Sequence, residues 1–179
     1  KFDSPLGEST GAAVIFGATG GVMEAALRTA VELLTGKTLP KIDFTEVRGL
    51  EGIREATIPV PGVADLNVAV AYGLKNARTI MEQIKAGTCK YHFVEVMACP
   101  GGCIDGAGQP FHHGDASIIR ARHAAIYEAD RNMPIRKSHE NPEIIAIYKE
   151  FYGEPCSEKS HHLLHTHYFD KKIQFDLEK

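Results

Sequence analysis

Glu95-Val96-Met97-Ala98-Cys99-Pro100-Gly101-Gly102-Cys103, followed by Ile104-Asp105-Gly106-Ala107-Gly108-Gln109-Pro110, is the stretch on which the reading of this chain turns. An apolar run from Phe93 to Met97 leads to two thiols separated by three residues, and the proline and glycines around them exclude a regular element. Two thiolates in such a turn favour a shared soft metal or an iron–sulfur cluster, and the closely spaced glycines let backbone N–H groups approach sulfur. The competing reading is a pair of small buried side chains with no ligand.

Working outward, 179 residues suffice for one domain with a sizeable core and an appendage. A net charge of -3 and no Lys/Arg cluster exclude a phosphate-neutralising surface, so no nucleic-acid partner is expected. No apolar run approaches the roughly 18 to 20 residues that span a bilayer, and no basic-then-apolar signal opens the chain; a soluble protein without a membrane span is expected. Cys89, Cys99, Cys103 and Cys156 are too few for a disulfide scaffold, which points to a reducing, cytoplasmic compartment. The chain opens on Lys1 in a loop-like Asp3-Ser4-Pro5-Leu6-Gly7 segment, and a piece of a longer protein is the expectation.

Taken in order, Ala12 to Phe16 reads as a short apolar strand, Gly17 to Gly21 as a turn, and Val22 to Thr35 as a helix ended by Gly36. Its apolar residues Val22, Ala25, Ala26, Ala30, Leu33 and Leu34 recur at helical steps. Strand, glycine turn and helix raise a dinucleotide-binding alternative, but the glycines fall as Gly17-x-x-Gly20-Gly21 and not at the spacing that motif needs. Its ribose acid would have to be Asp43 or Glu46, beyond Pro40. Glycines that permit close helix packing are the simpler account.

Further on, strands are expected at Phe44 to Arg48, Ile53 to Val60, Leu66 to Tyr72 and His92 to Met97, with a turn at Pro61-Gly62. A helix from Asn76 to Ala86 carries Ala77, Ile80, Met81 and Ile84 on one face. Strand, helix and strand over 66–97 predict a right-handed crossover and parallel pairing. Ligands of parallel sheets sit beyond the carboxyl ends of strands, where Cys99 and Cys103 leave the last one. The predicted fold is α/β: one lobe with a mostly parallel sheet flanked by helices, then a helical carboxyl-terminal extension.

Beyond Pro110, His112 and His113 would complete a four-ligand zinc site with Cys99 and Cys103; solvated loop histidines are the alternative. Asp115 is the natural N-cap of a helix from Ala116 to Arg131, with Ile119, Ala124, Ile126 and Tyr127 as its apolar face. Composition shifts after Met133-Pro134, and residues 135–179 carry five histidines: His139, His161, His162, His165 and His167. Clustered histidines could bind a metal, but surface hydrogen bonding is the usual role of such residues. Asn141-Pro142 opens a helix to Tyr152 whose Ile144, Ile145, Ile147, Tyr148 and Phe151 face a partner surface; a short helix over Ser157 to Leu164 and a frayed tail follow.

The run at 95–103, closed by Gly-Gln-Pro at 108–110, resembles the third cluster-binding motif of the iron-only (di-iron, FeFe) hydrogenases. The stretches Ile15 to Arg28, Ile135 to His139 and His161 to His165 extend the resemblance over nearly the whole chain. The other two cluster motifs of that family are absent. The resemblance implies the carboxyl-terminal part of an enzyme that reversibly reduces protons to dihydrogen. It implies a 4Fe-4S cubane joined through a cysteine sulfur to a di-iron unit with CO, cyanide and a bridging dithiolate, together the H-cluster.

Carried over by motif, Cys99 matches a cubane ligand and Cys103 the thiolate bridging cubane and di-iron unit. Met97 matches a methionine near the bridging CO, and Phe16, Gly17, Ala18 and Val22 match residues that wall the dithiolate. The implied domains are 1–133, a carboxyl-terminal lobe, and 134–179, a small-subunit-like segment that wraps the catalytic domain like a belt. The implied partners are the amino-terminal half of the catalytic domain and ferredoxin or another redox module. One departure stands at Gly106-Ala107-Gly108, where the family usually has three glycines. The alternative class is a non-catalytic iron–sulfur relative with an assembly or sensory role. Cys89 and Cys156 lie outside the motif: replacing either with Ser in the complete protein is expected to leave its iron content unchanged, and iron loss in either variant would assign that thiol to the cluster.

Overall fold

The computed structural model describes residues 7–168. Among them are six α-helices, α1 (Gly11–Val14), α2 (Gly21–Thr35), α3 (Leu74–Lys85), α4 (Ala116–Asn132), α5 (Pro142–Ile147) and α6 (Glu158–Leu164), and three strands, β1 (Ile53–Val60), β2 (Ala64–Tyr72) and β3 (Phe93–Met97). The tail expected at the carboxyl terminus lies outside the described residues. The chain divides into two compact units, Lys1–Asn141 and Pro142–Lys179.

In the first unit the sheet order is β1-β2-β3. β2 and β3 pair in parallel from Val68↔Phe93 to Tyr72↔Met97, with α3 as the crossover. β1 and β2 pair antiparallel from Ile53↔Ala71 to Val60↔Ala64, so the sheet is mixed and the expectation of a mostly parallel one is corrected. The reason is chain length: only Pro61, Gly62 and Val63 join the two strands, and a parallel return needs a dozen or more residues.

Two other expected strands are helical. Ala12 to Phe16 forms α1 and a tight 3-10 turn over Ile15–Gly17, opened by Thr10, whose Oγ1 accepts the Ala13 N–H at 3.2 Å. Phe44 to Arg48 contains a 3-10 turn at Thr45–Val47, because Asp43 and Arg48 are drawn into the ion cluster described below. On α4 the Asp115 cap is as expected, accepting the Ser117 N–H at 2.8 Å, but Ala124 is exposed and the buried positions are Ile119, Tyr127 and Asp130.

Alternation along β2 supplies two cores. Val68 and Val70 pack with Met23 and Leu27 of α2, Val47 and Ile58; Ala69 and Ala71 pack on the other face with Ile80 of α3. A third cluster, Ala12, Ile15, Ala18, Ala25 and Tyr127, joins α1, α2 and α4. Each fully buried Val, Leu, Ile or Met contributes about 1.5–3 kcal/mol.

Between α2 and α4 lies a buried ion cluster. Arg28, fully buried, donates to Asp130 Oδ1 and Oδ2 and Glu24 Oε1, each at 2.8 Å, to Arg136 O at 2.9 Å and to Ile42 O at 3.1 Å, so all five of its N–H donors are used. Arg48 reaches Glu24 at 2.6 Å and Asp43 at 2.8 Å and lies 4.0 Å over the Tyr127 ring. Arg136 closes the cluster on Asp130 at 2.6 Å and Asp43 at 2.8 Å. Burial alone would raise the Asp130 carboxyl, yet Arg28 and Arg136 hold it below the ordinary carboxylate range.

The second unit is helical. α5 widens into a π-helical turn over Tyr148–Tyr152, stopped at Gly153, whose N–H donates to Tyr148 O. Ser157 caps α6 by accepting the Ser160 N–H at 3.2 Å, and Lys159 lies 3.4 Å over the Phe151 ring.

Asp130→Asn removes one partner from a buried pair and is expected to cost about 3–5 kcal/mol in denaturant unfolding. The depressed Asp130 pKa contributes stability above the unfolded value, lost as pH falls below about 4 and through the folded value. The wild type should therefore show a steeper acid loss of stability than the variant; parallel pH profiles would contradict this role for Asp130.

Candidate functional site

The cysteine loop leaves the carboxyl end of β3 and turns through Gly101 (φ +78) and Gly102 (φ +94), both in the left-handed region that side chains avoid. It tightens through Gly102 N–H to Cys99 O at 3.0 Å and Gly106 N–H to Cys103 O at 3.1 Å, with a 3-10 turn at Cys103–Asp105. The loop lies directly on the turn before α2: the Thr19 N–H donates to Gly101 O at 2.9 Å. A Cβ on Gly102 would stand 2.8 Å from Gly17 O and Thr19 N and 2.9 Å from Met97 Sδ. Three segments meet at this glycine because it has no side chain. The Thr19 hydroxyl also approaches Met97 Sδ at 3.9 Å.

Of the residues singled out in the sequence, Gly17, Met97 and the loop bearing Cys99 and Cys103 are thus brought together. Cys99 is half-buried and Cys103 exposed, and all four cysteines are free thiols. Phe16 is 46% exposed and Val22 half-buried. The methyl of Ala18 is enclosed with Ala12, Ile15, Ala25 and Tyr127, so of this residue only the backbone is placed to meet a ligand. Ala107 is exposed with an ordinary φ, so the departure from three glycines is accommodated without strain.

Sequence reasoning passed over Glu95. It sits at the centre of β3, 6% exposed, on the sheet face of its partner Val70. Its Oε1 accepts the Gly20 N–H and its Oε2 the Met23 N–H, each at 2.7 Å. Burial pushes its carboxyl upward against these two donors. The available signal was a charged residue inside an otherwise apolar strand. Arg122 of α4 donates to Ile104 O at 2.9 Å and to Pro110 O, fastening the far side of the loop. His123 Nε2 and Tyr127 OH are buried without a hydrogen-bond partner among the described residues.

The zinc arrangement is not assembled. His112 Nε2 faces Asp105 Oδ1 at 3.0 Å and its Nδ1 accepts the Gly114 N–H, while His113 is exposed. Among the described residues the group of convergent ligand atoms is instead Glu32, His139 and Glu140, and the Lys137 ammonium already bridges Glu32 at 2.9 Å and Glu140 at 2.6 Å. Burial would raise the Glu32 carboxyl, but the Leu39 N–H, Lys137 and His139 bring it down to about 2. The dinucleotide reading fails in the same way: no strand precedes the glycine turn among the described residues, and Asp43 is committed to arginines.

Comparison with known proteins bears directly on this geometry. The family description "Iron only hydrogenase large subunit, C-terminal domain" matches residues 1–107, and "Iron hydrogenase small subunit" matches residues 116–171. The NADP-reducing hydrogenase subunit HndD of Solidesulfovibrio fructosivorans is 57% identical over 171 residues, covering 96% of this chain and 29% of that protein. The periplasmic Fe hydrogenase large subunit of Nitratidesulfovibrio vulgaris is 57% identical over 114 residues, covering 64% of this chain and 27% of that protein. A solved structure of a variant of the FeFe-hydrogenase HydA1 from Chlamydomonas reinhardtii superposes with a TM-score of 0.68 at 44% identity, covering 93% of this chain and 48% of that one. A weaker relative, at 31% identity over 85% of this chain and 31% of its own length, is the cytosolic Fe-S cluster assembly factor narfl of Xenopus tropicalis. The chain therefore spans less than a third of the curated relatives' length.

The convergence at Gly102 is open to test. Gly102→Ala forces a Cβ onto Gly17 O and Thr19 N at a left-handed φ and is expected to cost at least about 1–3 kcal/mol and to speed hydrogen exchange at the Thr19 amide. Gly108→Ala, which meets nothing within 4 Å, is expected to stay within about 0.5 kcal/mol of the parent in thermal unfolding. Equal effects of the two would remove the role assigned to Gly102.

Proposed function

Because this chain belongs to the iron-only hydrogenase family, we propose that it is the carboxyl-terminal part of an FeFe hydrogenase that reversibly reduces protons to dihydrogen. In this reading it supplies two cysteine ligands and one wall of the active-site cluster. Cys99 would ligate the cubane and Cys103 would be the second thiolate that holds the cluster. Met97 packs beside the di-iron unit, and Phe16, Gly17, Ala18 and Val22 wall its dithiolate, Ala18 through its backbone. The observation that carries the reading is the meeting of the Gly17–Thr19 turn, Met97 and the cysteine loop at Gly102. Segments about eighty residues apart in sequence form one surface there, and it holds free thiols and backbone with no side chain in the way.

The donor set fits an iron–sulfur group: soft thiolates, a thioether and glycine backbone. When bound, the cofactor supplies the redox chemistry that exchanges protons and electrons for dihydrogen. The chain's own part is to bind and enclose. The two thiols hold metal, the glycine turn admits the group at backbone distance, and the apolar Phe16, Val22 and Met97 exclude water from it.

The remaining cluster ligands, and the other wall, belong to the amino-terminal half of the catalytic domain, which is the first partner. Ferredoxin or another redox module is the electron partner. Residues 1–133 act as the lobe and 134–179 as the small-subunit-like segment; the two family matches, 1–107 and 116–171, support a division of this kind. Among the described residues no helix is long and apolar enough to cross a membrane. Four cysteines, too few for a disulfide scaffold of this length, favour a cytoplasmic location; one relative carries a periplasmic name.

Two thiolates hold a cubane poorly, since a cubane takes four cysteines. After treatment with the maturation machinery and reduced methyl viologen, residues 1–179 alone are expected to contain little iron and release no hydrogen. The same chain supplied with the amino-terminal half should gain both, and Cys99→Ser or Cys103→Ser should abolish the gain. Full activity from the chain alone would show the ligand placement to be wrong. Iron without hydrogen release in the complete protein would favour a role like that in the assembly factor's name.

A further inference from the structure

We propose that Glu95 is a positioning residue for the cofactor, a carboxylate clamp that fixes the wall turn at a set distance from the cysteine loop. The inference rests on the hydrogenase reading for what the clamp serves, but the clamp stands on this chain's own geometry.

A helix begins with N–H groups that have no intrahelical acceptor, and the residue just before it usually covers one with its own side chain. At α2 that residue is Gly20, which has none and sits at φ +88. It has none for a steric reason: a Cβ there would lie 2.1 Å from Val47 O. The local chain therefore cannot cap itself. The Gly21 N–H finds Ala18 O at 2.9 Å, but Gly20 N–H and Met23 N–H turn to Glu95, 75 and 72 residues away.

Where Glu95 sits gives the cap its second meaning. Two residues beyond it is Met97, and Cys99 follows another two residues on, so the strand that delivers the thiols also grips the helix that carries the wall. Both carboxylate oxygens are used, each at 2.7 Å, and the side chain is buried. A two-point contact of this kind fixes distance and orientation together. Among the described residues the direct backbone tie at the other end is Thr19 N–H to Gly101 O at 2.9 Å, a single bond between two loops. With Glu95 the turn is held from both ends; without it the turn pivots on that bond.

The side chain's length is therefore the specification. Glu95→Asp is one methylene too short to reach both N–H groups from the same strand. Glu95→Gln keeps the length but presents an amide NH2 to one of two donors. Misplacement of about 1 Å at a reacting centre costs up to about a hundredfold in rate. In the complete, matured enzyme, both variants are expected to keep the parent's iron content, lose about tenfold to a hundredfold in hydrogen-release rate, and shift the infrared CO and cyanide bands of the di-iron unit. Ile80→Ala, a core truncation on the opposite face of the sheet and outside the site, is the control: it lowers the melting temperature and leaves those bands in place.

Wild-type rate and unshifted bands in both Glu95 variants would overturn the proposal, as would an equal band shift in Ile80→Ala. The second measurement needs no cofactor. In the unloaded complete protein, Glu95→Gln should speed amide exchange at Gly20 or Met23 relative to the neighbouring Gly21, and unchanged exchange would again overturn the clamp. A wild type with protected Gly20 and Met23 amides but no CO bands after maturation would refute the hydrogenase reading and leave the clamp standing.

Discussion

The buried guanidinium of Arg28 is the constraint on which the rest of the first unit depends. A charge taken out of water is tolerated only when its donors are all matched, and here Asp130, Glu24 and two backbone carbonyls match all five. Those partners come from α4, α2 and the segments around residues 42 and 136, so satisfying one side chain orders four stretches of chain. Packing follows the same demand. Gly11 has no side chain because a Cβ there would lie 2.0 Å from Asp130 Oδ1, and the irregular course of residues 43–48 brings Asp43 and Arg48 to the cluster.

A helix anchored in this way offers a fixed amino terminus, and the site uses it. The Gly17–Gly20 turn is tied to the cysteine loop by Thr19 and to β3 by Glu95. The glycines serve approach. Gly102 stands where a methyl group would strike the Gly17 and Thr19 backbone, and Gly20 where one would strike Val47 O, so the cysteine loop and the Thr45–Val47 turn each come closer to the glycine turn than side chains would allow. This is why the glycine turn, which in sequence suggests a phosphate loop, becomes a packing surface beside a pair of thiols. Family membership fits that outcome: it joins residues 1–107 and 116–171 to hydrogenase descriptions, and the thiols lie in the first of these.

Exposure of apolar residues on the first unit accords with a lobe that is part of a larger body. Phe16, Phe93 and Val96 are each about half exposed, and β3, which bears the last two, ends the sheet among the described residues. A protein that works alone rarely leaves the strand beside its site open in this way. The second unit carries comparable groups, Ile145, Phe151, Leu163 and Leu164.

Local and periodic information was enough for much of the fold. The helix at 21–35, the strands at 53–60 and 64–72, the crossover to β3 and the Asp115 cap are each set by spacing between near neighbours in the chain, and the sequence carries that spacing openly. The cysteine loop was legible for the same reason, since its thiols, proline and glycines are consecutive. Where the strands expected from sequence proved helical, contacts between distant residues decided. Whether Ala12–Phe16 is strand or helix depends on its packing against Tyr127 of α4, and the fate of Phe44–Arg48 depends on where Glu24 and Arg136 place their charges. Glu95 shows the limit most plainly. In sequence it is one charged residue in an apolar strand; only the tertiary structure brings it to two helix N–H groups more than seventy residues away, because a buried carboxylate must find donors wherever the fold provides them.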